Sequence, residues 1–499
     1  MMNLSLGLKS RAKLHPALSA VEWAEGKLTY SQLECQVAEL AHSLQHYHKL
    51  SKGAKIVIAM ENCSEFIVIL FAVWRAGMTA IPLNAKLHPK EFSWIFENAG
   101  VDLVFASQNI AREITFDKSI ISIGDNDYKK HFKGESLSTV DINSNIPAWV
   151  FYTSGTTGNP KGAVLTHQNL LAMSYSYFAD VGEITELDTR LHCAPMSHGS
   201  GLYFIPFILK GANNIISPKG FDPDYITNIL SNRQNISFFA APTMIKLLMQ
   251  SDSIGGDISG LKTICYGGGP MYLSDIKEAL QIFGPSLYQL YGQGESPMTI
   301  SNITKKMHSG LEDIDLDHIL SSVGIARTGV EVAIFSDKGE EMPPDTIGEI
   351  VTRSACVMSG YLNDNAATKR TLRNGWLYTG DVGTIDKSGI LTLKDRSKDM
   401  IISGGMNIYP REIEDLLIKL PTVKEVAVVG AESKTWGEQV VAFLAGSATH
   451  EELDSYCLEH LARFKRPKKY IFLESLPKNN YGKILKKNLR DQLLGRTFD

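Results

Sequence analysis

KIVIAMENCSEFIVILFAVWRAGMTAIPL, residues 55–83, holds a short β-branched run, a longer apolar run of helical length, and a second short apolar run. Strand, helix and strand in that order predict α/β layers built on parallel strands. Upstream, Val37, Leu40, Ala41, Leu44 and Tyr47 recur at helical spacing. Downstream, AWVFYTS, RLHCAPM, NNIISP, ISFFAAP and KTICYGG repeat the theme, each predicted to be a strand that ends at polar or glycine residues and leads into a helix. The ends of such strands are where open sheets bind ligands.

The texture changes twice. From about 323 to 394, short alternating runs broken by turns (VEVAIFSDKGE, IGEIVTR, GILTLKDR) predict a smaller antiparallel β unit. After Arg396 the pattern is mixed: helices at PREIEDLLIKL and HEELDSYCLEHLARF, strands at KEVAVVG and QVVAFLAG, then a basic tail. About 100 residues suffice for an independent domain, so the expected division is residues 1–395 and 396–499. A chain of 499 residues exceeds what one core usually organises. The net charge of -4 gives no global reason to expect nucleic acid as a partner. Six scattered cysteines without a CxxC pair fit reduced, core thiols in a cytoplasm. The longest apolar run, FIVILFAVW at 66–74, is too short to span a bilayer, so no transmembrane segment is expected.

YTSGTTGNPKG, residues 152–162, carries the chemistry. Backbone N–H groups in a glycine-rich turn can converge on an anion, hydroxyls add donors, and a lysine adds a full charge. A mere surface turn would not ask for Thr153, Ser154, Thr156, Thr157 and Lys161 together. The loop does not match the mononucleotide pattern G-x-x-x-x-G-K-[ST], because Gly155 is followed after four residues by Pro160, Lys161 and Gly162.

Read with four further segments, TSGTTGNPKG resembles the signature loop of the adenylate-forming family that includes acyl-CoA synthetases, peptide-synthetase adenylation domains and beetle luciferase. YGQGE (291–295) is similar to the family's Y-G-x-T-E, YTGD (378–381) to its ribose-binding motif, DRSKDMIISGGMNIYPREIE (395–414) to its hinge, and PKNNYGKI (477–484) to its C-terminal lysine motif. The resemblance implies an α/β fold: two doubly wound α/β subdomains plus a small β-barrel-like subdomain, followed by a mobile α+β C-terminal domain that turns about Lys398.

It also implies roles. Thr153, Ser154, Gly155, Thr156, Thr157, Gly158 and Lys161 would grip the phosphates of ATP. Gly268, Gly269, Pro270 and Gly292 would lie along the nucleotide. Tyr291 would stack on adenine, Gln289 would meet the adenine amino group, Asp381 and Arg396 would contact the ribose, and Glu295 would hold Mg2+. Lys483 would reach the acyl phosphate in one domain orientation, and Gly404 and Gly405 would line a pantetheine tunnel in the other. These roles suit the residue types: an aromatic face for a base, a carboxylate for sugar hydroxyls, and an oxygen ligand for a hard cation.

Gly294 departs from the family's threonine, which removes a hydroxyl contact to the α-phosphate and predicts a wider pocket. Tyr481 stands where Ser or Thr is common. His198 in APMSHGSG matches an aromatic position at the wall between acyl pocket and thiol tunnel, and its expected role is a gate. His192, Cys193 and His198 lack zinc spacing, and His42 with His46 read as solvated neighbours. The acyl pocket is expected to draw on Met196 to Tyr203, Phe238 to Ala241 and Tyr266 to Gly269. No arginine in those stretches answers a second carboxylate, which favours a fatty or aromatic monocarboxylic acid over malonate.

Between 463 and 490, ten Lys or Arg face the single acid Glu474. A solvated basic face is the bland reading; the functional one is attraction of coenzyme A phosphates, by Lys465, Arg466 and Lys468 among others. The expected activity is ATP-dependent, AMP-forming ligation of a carboxylic acid to CoA, with ATP, Mg2+ and coenzyme A as cofactors. A stand-alone acyl-AMP ligase loading a carrier-protein thiol, and a non-catalytic nucleotide-binding relative, stay open. So do peripheral membrane contact and a homodimer.

Overall fold

The strand–helix–strand at 55–83 forms as Lys55–Ala59, Ser64–Arg75 and Thr79–Leu83, with the two strands parallel and in register from Lys55↔Thr79 to Ala59↔Leu83. In the computed structural model, residues 3–153, 160–269, 271–311, 314–396, 399–404, 406–433, 435–478 and 484–494 are described, with the side chains of Asp127 and Arg396 set apart.

The helix Ser64–Arg75 is apolar around its circumference from Phe66 to Trp74 and buried over that stretch, as Phe66, Phe71 and Trp74 show. It belongs to one continuous core shared by two sheets, with Ile56 and Ile58 from the first and Ile216, Tyr288 and Leu290 from the second. The first sheet has seven strands in the order Gly360–Tyr361, Lys161–Thr166, Pro147–Thr153, Thr79–Leu83, Lys55–Ala59, Leu103–Ala106 and Ser119–Ser122. The second has nine, with Leu261–Gly267, Ile236–Ala240, Thr189–His192 and Asn213–Ile216 running parallel through its middle. Three of those four lead into the expected helices Pro242–Met249, Leu273–Phe283 and Pro223–Asn232.

AWVFYTS departs from expectation. Its strand, Pro147–Thr153, is followed by an antiparallel partner, Lys161–Thr166, paired from Pro147↔Thr166 to Thr153↔Lys161. The apolar run GAVLT, β-branched at Val164 and Thr166, satisfies its backbone in the ladder, and the helix waits until His167.

Residues 331–396 form the antiparallel unit: Glu331–Phe335, Gly348–Arg353, Trp376–Ile385 and Leu391–Arg396, with Leu372–Arg373 at the edge. The strands from Ile401 onward join a separate five-stranded sheet with its own core around Val426, Val428, Ala442 and Leu453. Four of the six cysteines are buried, but Cys35 is exposed, its thiol 3.2 Å from Glu39 Oε1. Among the described residues no helix is long and apolar enough to cross a membrane.

Candidate active site

Two hairpins meet tip to tip. One is the pair Pro147–Thr153 and Lys161–Thr166; the other joins Leu287–Gln293 to the antiparallel Ser296–Ile303, closing at Gln293↔Ser296. Gly292 makes the second turn tight enough: a Cβ on it would lie 2.4 Å from Met298 N. The chain at 358–362 laces the two together, with Met358 N donating to Glu295 O at 2.8 Å and Leu362 N to Gly162 O at 2.8 Å.

This lacing delivers Tyr361 to the site. Its hydroxyl donates to Glu295 Oε1 at 2.6 Å, and Lys161 Nζ lies 5.3 Å from its ring centroid. Sequence reasoning missed Tyr361, because its 66-residue separation from Glu295 carries no periodic signal. Glu295 is 9% exposed, an acid kept in a nearly dry setting by a single strong donor.

On the next strand over, Gln289 and Tyr291 share a face by strand alternation. Tyr291 donates its hydroxyl proton to Asp381 Oδ2 at 2.7 Å, and Gln293 Nε2 donates to the same oxygen at 2.7 Å and to Thr379 O at 2.9 Å. The structure thus brings the expected adenine and ribose residues together, with Gln293 as an addition. Asp381 also stands directly across the ladder from Arg396. Gln289 Oε1 is buried without a hydrogen-bond partner among the described residues, an acceptor suited to an exocyclic amine. Gly268 (φ +81°) and Gly269 lie exposed past the end of Leu261–Gly267.

His198 is half-buried, its Nδ1 3.0 Å from Ser197 Oγ and its ring edge-on to Phe151 at 5.0 Å between centroids. Burial holds its pKa down to about 3, so the imidazole is neutral. The expected acyl-pocket stretches separate into two groups. Met196, Leu202, Tyr203, Phe238 and Tyr266 are core residues, with the Tyr203 hydroxyl meeting Arg327 and that of Tyr266 meeting His308. His198, Gly199, Phe239, Gly268 and Gly269 keep access to solvent. Phe238 and Phe239 divide because adjacent strand residues point to opposite faces. Behind this wall Met298 adopts φ +59°, its carbonyl accepting from the buried Arg327, which Asp180 neutralises at 3.1 Å.

Gly294 does not widen the pocket. A Cβ there would lie 2.5 Å from Thr153 Cγ2 and 2.8 Å from Phe151 Cδ1, so neighbouring side chains already fill that space. His192 is a satisfied core residue, bonded to Ser200 Oγ at 2.9 Å and Asn214 Oδ1 at 3.1 Å. His42 and His46 stack on each other at 4.2 Å.

The basic run is largely paired. Lys465 meets Glu412 at 2.7 Å, Arg466 meets Asp454 Oδ2 at 2.6 Å, Lys486 meets Glu414 at 2.7 Å, and Lys478 meets Glu425. Of the three residues singled out for coenzyme A, Lys468 alone is exposed. In the segment expected to act as a hinge, Asp395 Oδ2 accepts from Arg411 N at 2.9 Å, Arg490 grips Asp399 at 2.6 Å, and Gly404 (φ +56°) donates its N–H to Trp436 O at 2.8 Å. Ser154, Gly155, Thr156, Thr157, Gly158, Pro270, Lys398, Gly405, Tyr481 and Lys483 lie outside the described residues, as does the side chain of Arg396.

Glu295 suits magnesium as one hard oxygen ligand, since that ion typically takes one or two carboxylates and completes its shell with phosphates and water. Among the described residues no cluster of three potential metal ligands occurs that would make a dedicated protein cage.

Comparison with known proteins agrees with this geometry. Residues 8–362 match the model for AMP-binding enzymes, and residues 412–483 match that for the AMP-binding enzyme C-terminal domain. A 2-succinylbenzoate–CoA ligase from Bacillus cereus is 34% identical over 489 residues, spanning 97% of each chain. The o-succinylbenzoate CoA synthetase of Bacillus subtilis, solved in complex with the acyl-adenylate intermediate OSB-AMP, superposes with a TM-score of 0.85 at 28% identity, covering 99% of both chains. ATP-bound MatB from Rhodopseudomonas palustris gives 0.89 at 28% identity, covering 98% of both.

Proposed function

Because this chain belongs to the AMP-binding enzyme family, we infer that it is an ATP-dependent, AMP-forming carboxylic acid–CoA ligase that works through an acyl-adenylate. The observation that carries this is the convergence of Tyr291 and Gln293 on Asp381, one hairpin turn away from the Glu295–Tyr361 pair and the loop-bearing strands.

A carboxylate is already ionised near pH 7, since carboxyl pKa values lie around 4, so attack on the α-phosphorus needs no general base. Neutral His198 fits this economy: it is placed to open or close a passage, not to take a proton. Lys161 contributes positive charge at the phosphates, and Lys483 does so at the acyl phosphate, stabilising the anionic transition state. Glu295 would hold magnesium, which supplies further charge neutralisation there. Asp381 fixes the ribose and Tyr291 the base. A thiolate then attacks the acyl carbon of the acyl-adenylate, forming the thioester as the bond to the phosphate oxygen breaks and AMP leaves.

We assign residues 1–395 to ATP and acid binding and 396–499 to a domain that turns near Lys398 between the two half-reactions. The exposed part of the acyl wall, Phe151, His198 and Phe239, is rich in rings and supports an aromatic acid, with a fatty acid second. The 2-succinylbenzoate named for the curated relatives is itself an aryl acid. We place the reaction in the cytoplasm, where ATP and coenzyme A are available.

A panel of aromatic and fatty acids, assayed for acid-dependent pyrophosphate exchange and then for AMP release with and without coenzyme A, tests this. Exchange with at least one acid and CoA-dependent turnover are expected. Exchange without CoA dependence would point to a carrier-protein thiol, and no exchange with any acid would make the chain a non-catalytic relative.

A further inference from the structure

Gly294 has no conformational need to be glycine, since its φ lies outside the left-handed region. Its need is space. A Cβ at 294 would stand 2.8 Å from Phe151 Cδ1, 3.3 Å from Phe151 Cε1 and 2.5 Å from Thr153 Cγ2, and two of these are closer than real Cβ contacts come. Phe151 is the larger occupant. It lies on Pro147–Thr153, is half-buried, and its ring reaches His198 edge-on at 74°. One ring therefore touches the turn that carries Glu295 and also the gate histidine.

The bulk of this wall belongs to the first hairpin, where Phe151 presents an aromatic ring against His198. Gly199 continues the wall, where a Cβ would meet Phe239 Cζ at 3.3 Å and Met298 Sδ at 3.4 Å. No atom can be added on that side without contact.

We propose that Phe151, accommodated by Gly294, is the specificity-determining residue at the carboxylate end of the acyl pocket, selecting acids that are flat or unbranched at the carbon bearing the carboxylate. This rests on the ligase reading above and deepens it.

Two matched pairs of acids test it by pyrophosphate exchange: hexanoate with 2-methylhexanoate, and phenylacetate with 2-phenylpropionate. Wild type is expected to favour the slimmer member at least about ten-fold, the scale on which one methyl group is discriminated. Phe151→Ala should cut that preference about ten-fold while leaving KM for ATP within about two-fold. Gly294→Thr should lower exchange with both members at least about ten-fold, and Phe151→Ala combined with Gly294→Thr should recover part of the loss, the Thr153 contact accounting for the rest. Melting temperatures provide a readout independent of turnover: Gly294→Thr should lower Tm in wild type and less in the Phe151→Ala background.

An unaltered preference in Phe151→Ala overturns the assignment while leaving the ligase reading intact. Equal losses of Tm and rate from Gly294→Thr in both backgrounds overturn the pairing. No exchange by wild type with any acid of the wider panel sinks the ligase reading and the selectivity with it.

Discussion

The Tyr361 hydroxyl lies 2.6 Å from Glu295 Oε1, so the one carboxylate at the junction of the two hairpins is held by a donor from a third segment. A buried acid oriented by one charge-assisted hydrogen bond loses both position and stabilisation when the donor goes. At about 1.5–3 kcal/mol for a bond to a charged group, Tyr361→Phe should reduce adenylation roughly 10- to 100-fold. The loss should shrink as magnesium is raised, because a loosened ligand weakens metal affinity. Pyrophosphate exchange titrated with magnesium checks this, and an unchanged magnesium dependence would show that Tyr361 has no part in holding the site.

Among the described residues two side chains, Tyr291 and Gln293, donate to Asp381, so removing one leaves it partly held. Tyr291→Phe keeps the ring for stacking and deletes the hydroxyl that donates to Asp381 at 2.7 Å. We expect KM for ATP to rise about five- to ten-fold with kcat nearly unchanged, the pattern of lost uniform binding. Tyr291→Ala, which removes the ring as well, should raise it further. Steady-state kinetics at saturating acid separates the two; equal effects would mean the ring does not stack.

Acid should destabilise the fold before it disables the chemistry. Burial holds His167 and His192 down to about 3 and His308 down to about 4, all three nearly inaccessible to solvent. Above the ordinary histidine pKa of about 6.5, folded and unfolded chains are both neutral at these positions, and their stability contribution is complete. As pH falls below that value, the unfolded chain takes up protons the folded one refuses, and each site costs about 1.4 kcal/mol per pH unit. Urea unfolding at pH 7.5, 6.5 and 5.5 should show little change over the first step and a marked drop over the second. Since His198 is neutral over the same range, the pH–rate profile of adenylation should show no histidine limb above pH 5 that His198→Gln removes.

Arg190 is fully buried, and none of its guanidinium nitrogens has a hydrogen-bond partner among the described residues. The rings of Tyr203 and Phe207, 5.5 and 5.7 Å away, offset the buried charge in part. A desolvated cation–π contact is worth about 2 kcal/mol, against a burial penalty of several. Arg190→Met should therefore stabilise the protein by about 1–4 kcal/mol, seen as a higher Tm with unchanged KM for ATP. A lower Tm would show that the guanidinium is compensated.

Much of this was readable in the chain. The alternation at 55–83 and at ISFFAAP and KTICYGG translates directly into parallel strands and covering helices, because apolar periodicity is what burial on a sheet demands. Asp381, Tyr291 and Glu295 were legible as residue types in ordered motifs. What escaped was set by tertiary geometry. Lys161–Thr166 became a strand because its neighbour needed a ladder partner, and no local pattern announces that. Tyr361 reaches Glu295 only once the chain at 358–362 crosses both hairpins. Gly294 read as added room because sequence shows what a side chain lacks and not which neighbour takes its place. The run RFKRPKK looked like a surface field, yet Lys465 and Arg466 are spent on Glu412 and Asp454, partners many residues away.

Thr153 and Lys161 face each other across one ladder, so the phosphate-binding loop leaves and re-enters the sheet at the same rung. The first described helix after it starts at His167, six residues after Lys161. A mononucleotide loop that opens a helix borrows about half an elementary charge from aligned peptide dipoles. Lys161, at the point of return to the sheet, brings a full charge on an ammonium, a screenable point on a flexible stem.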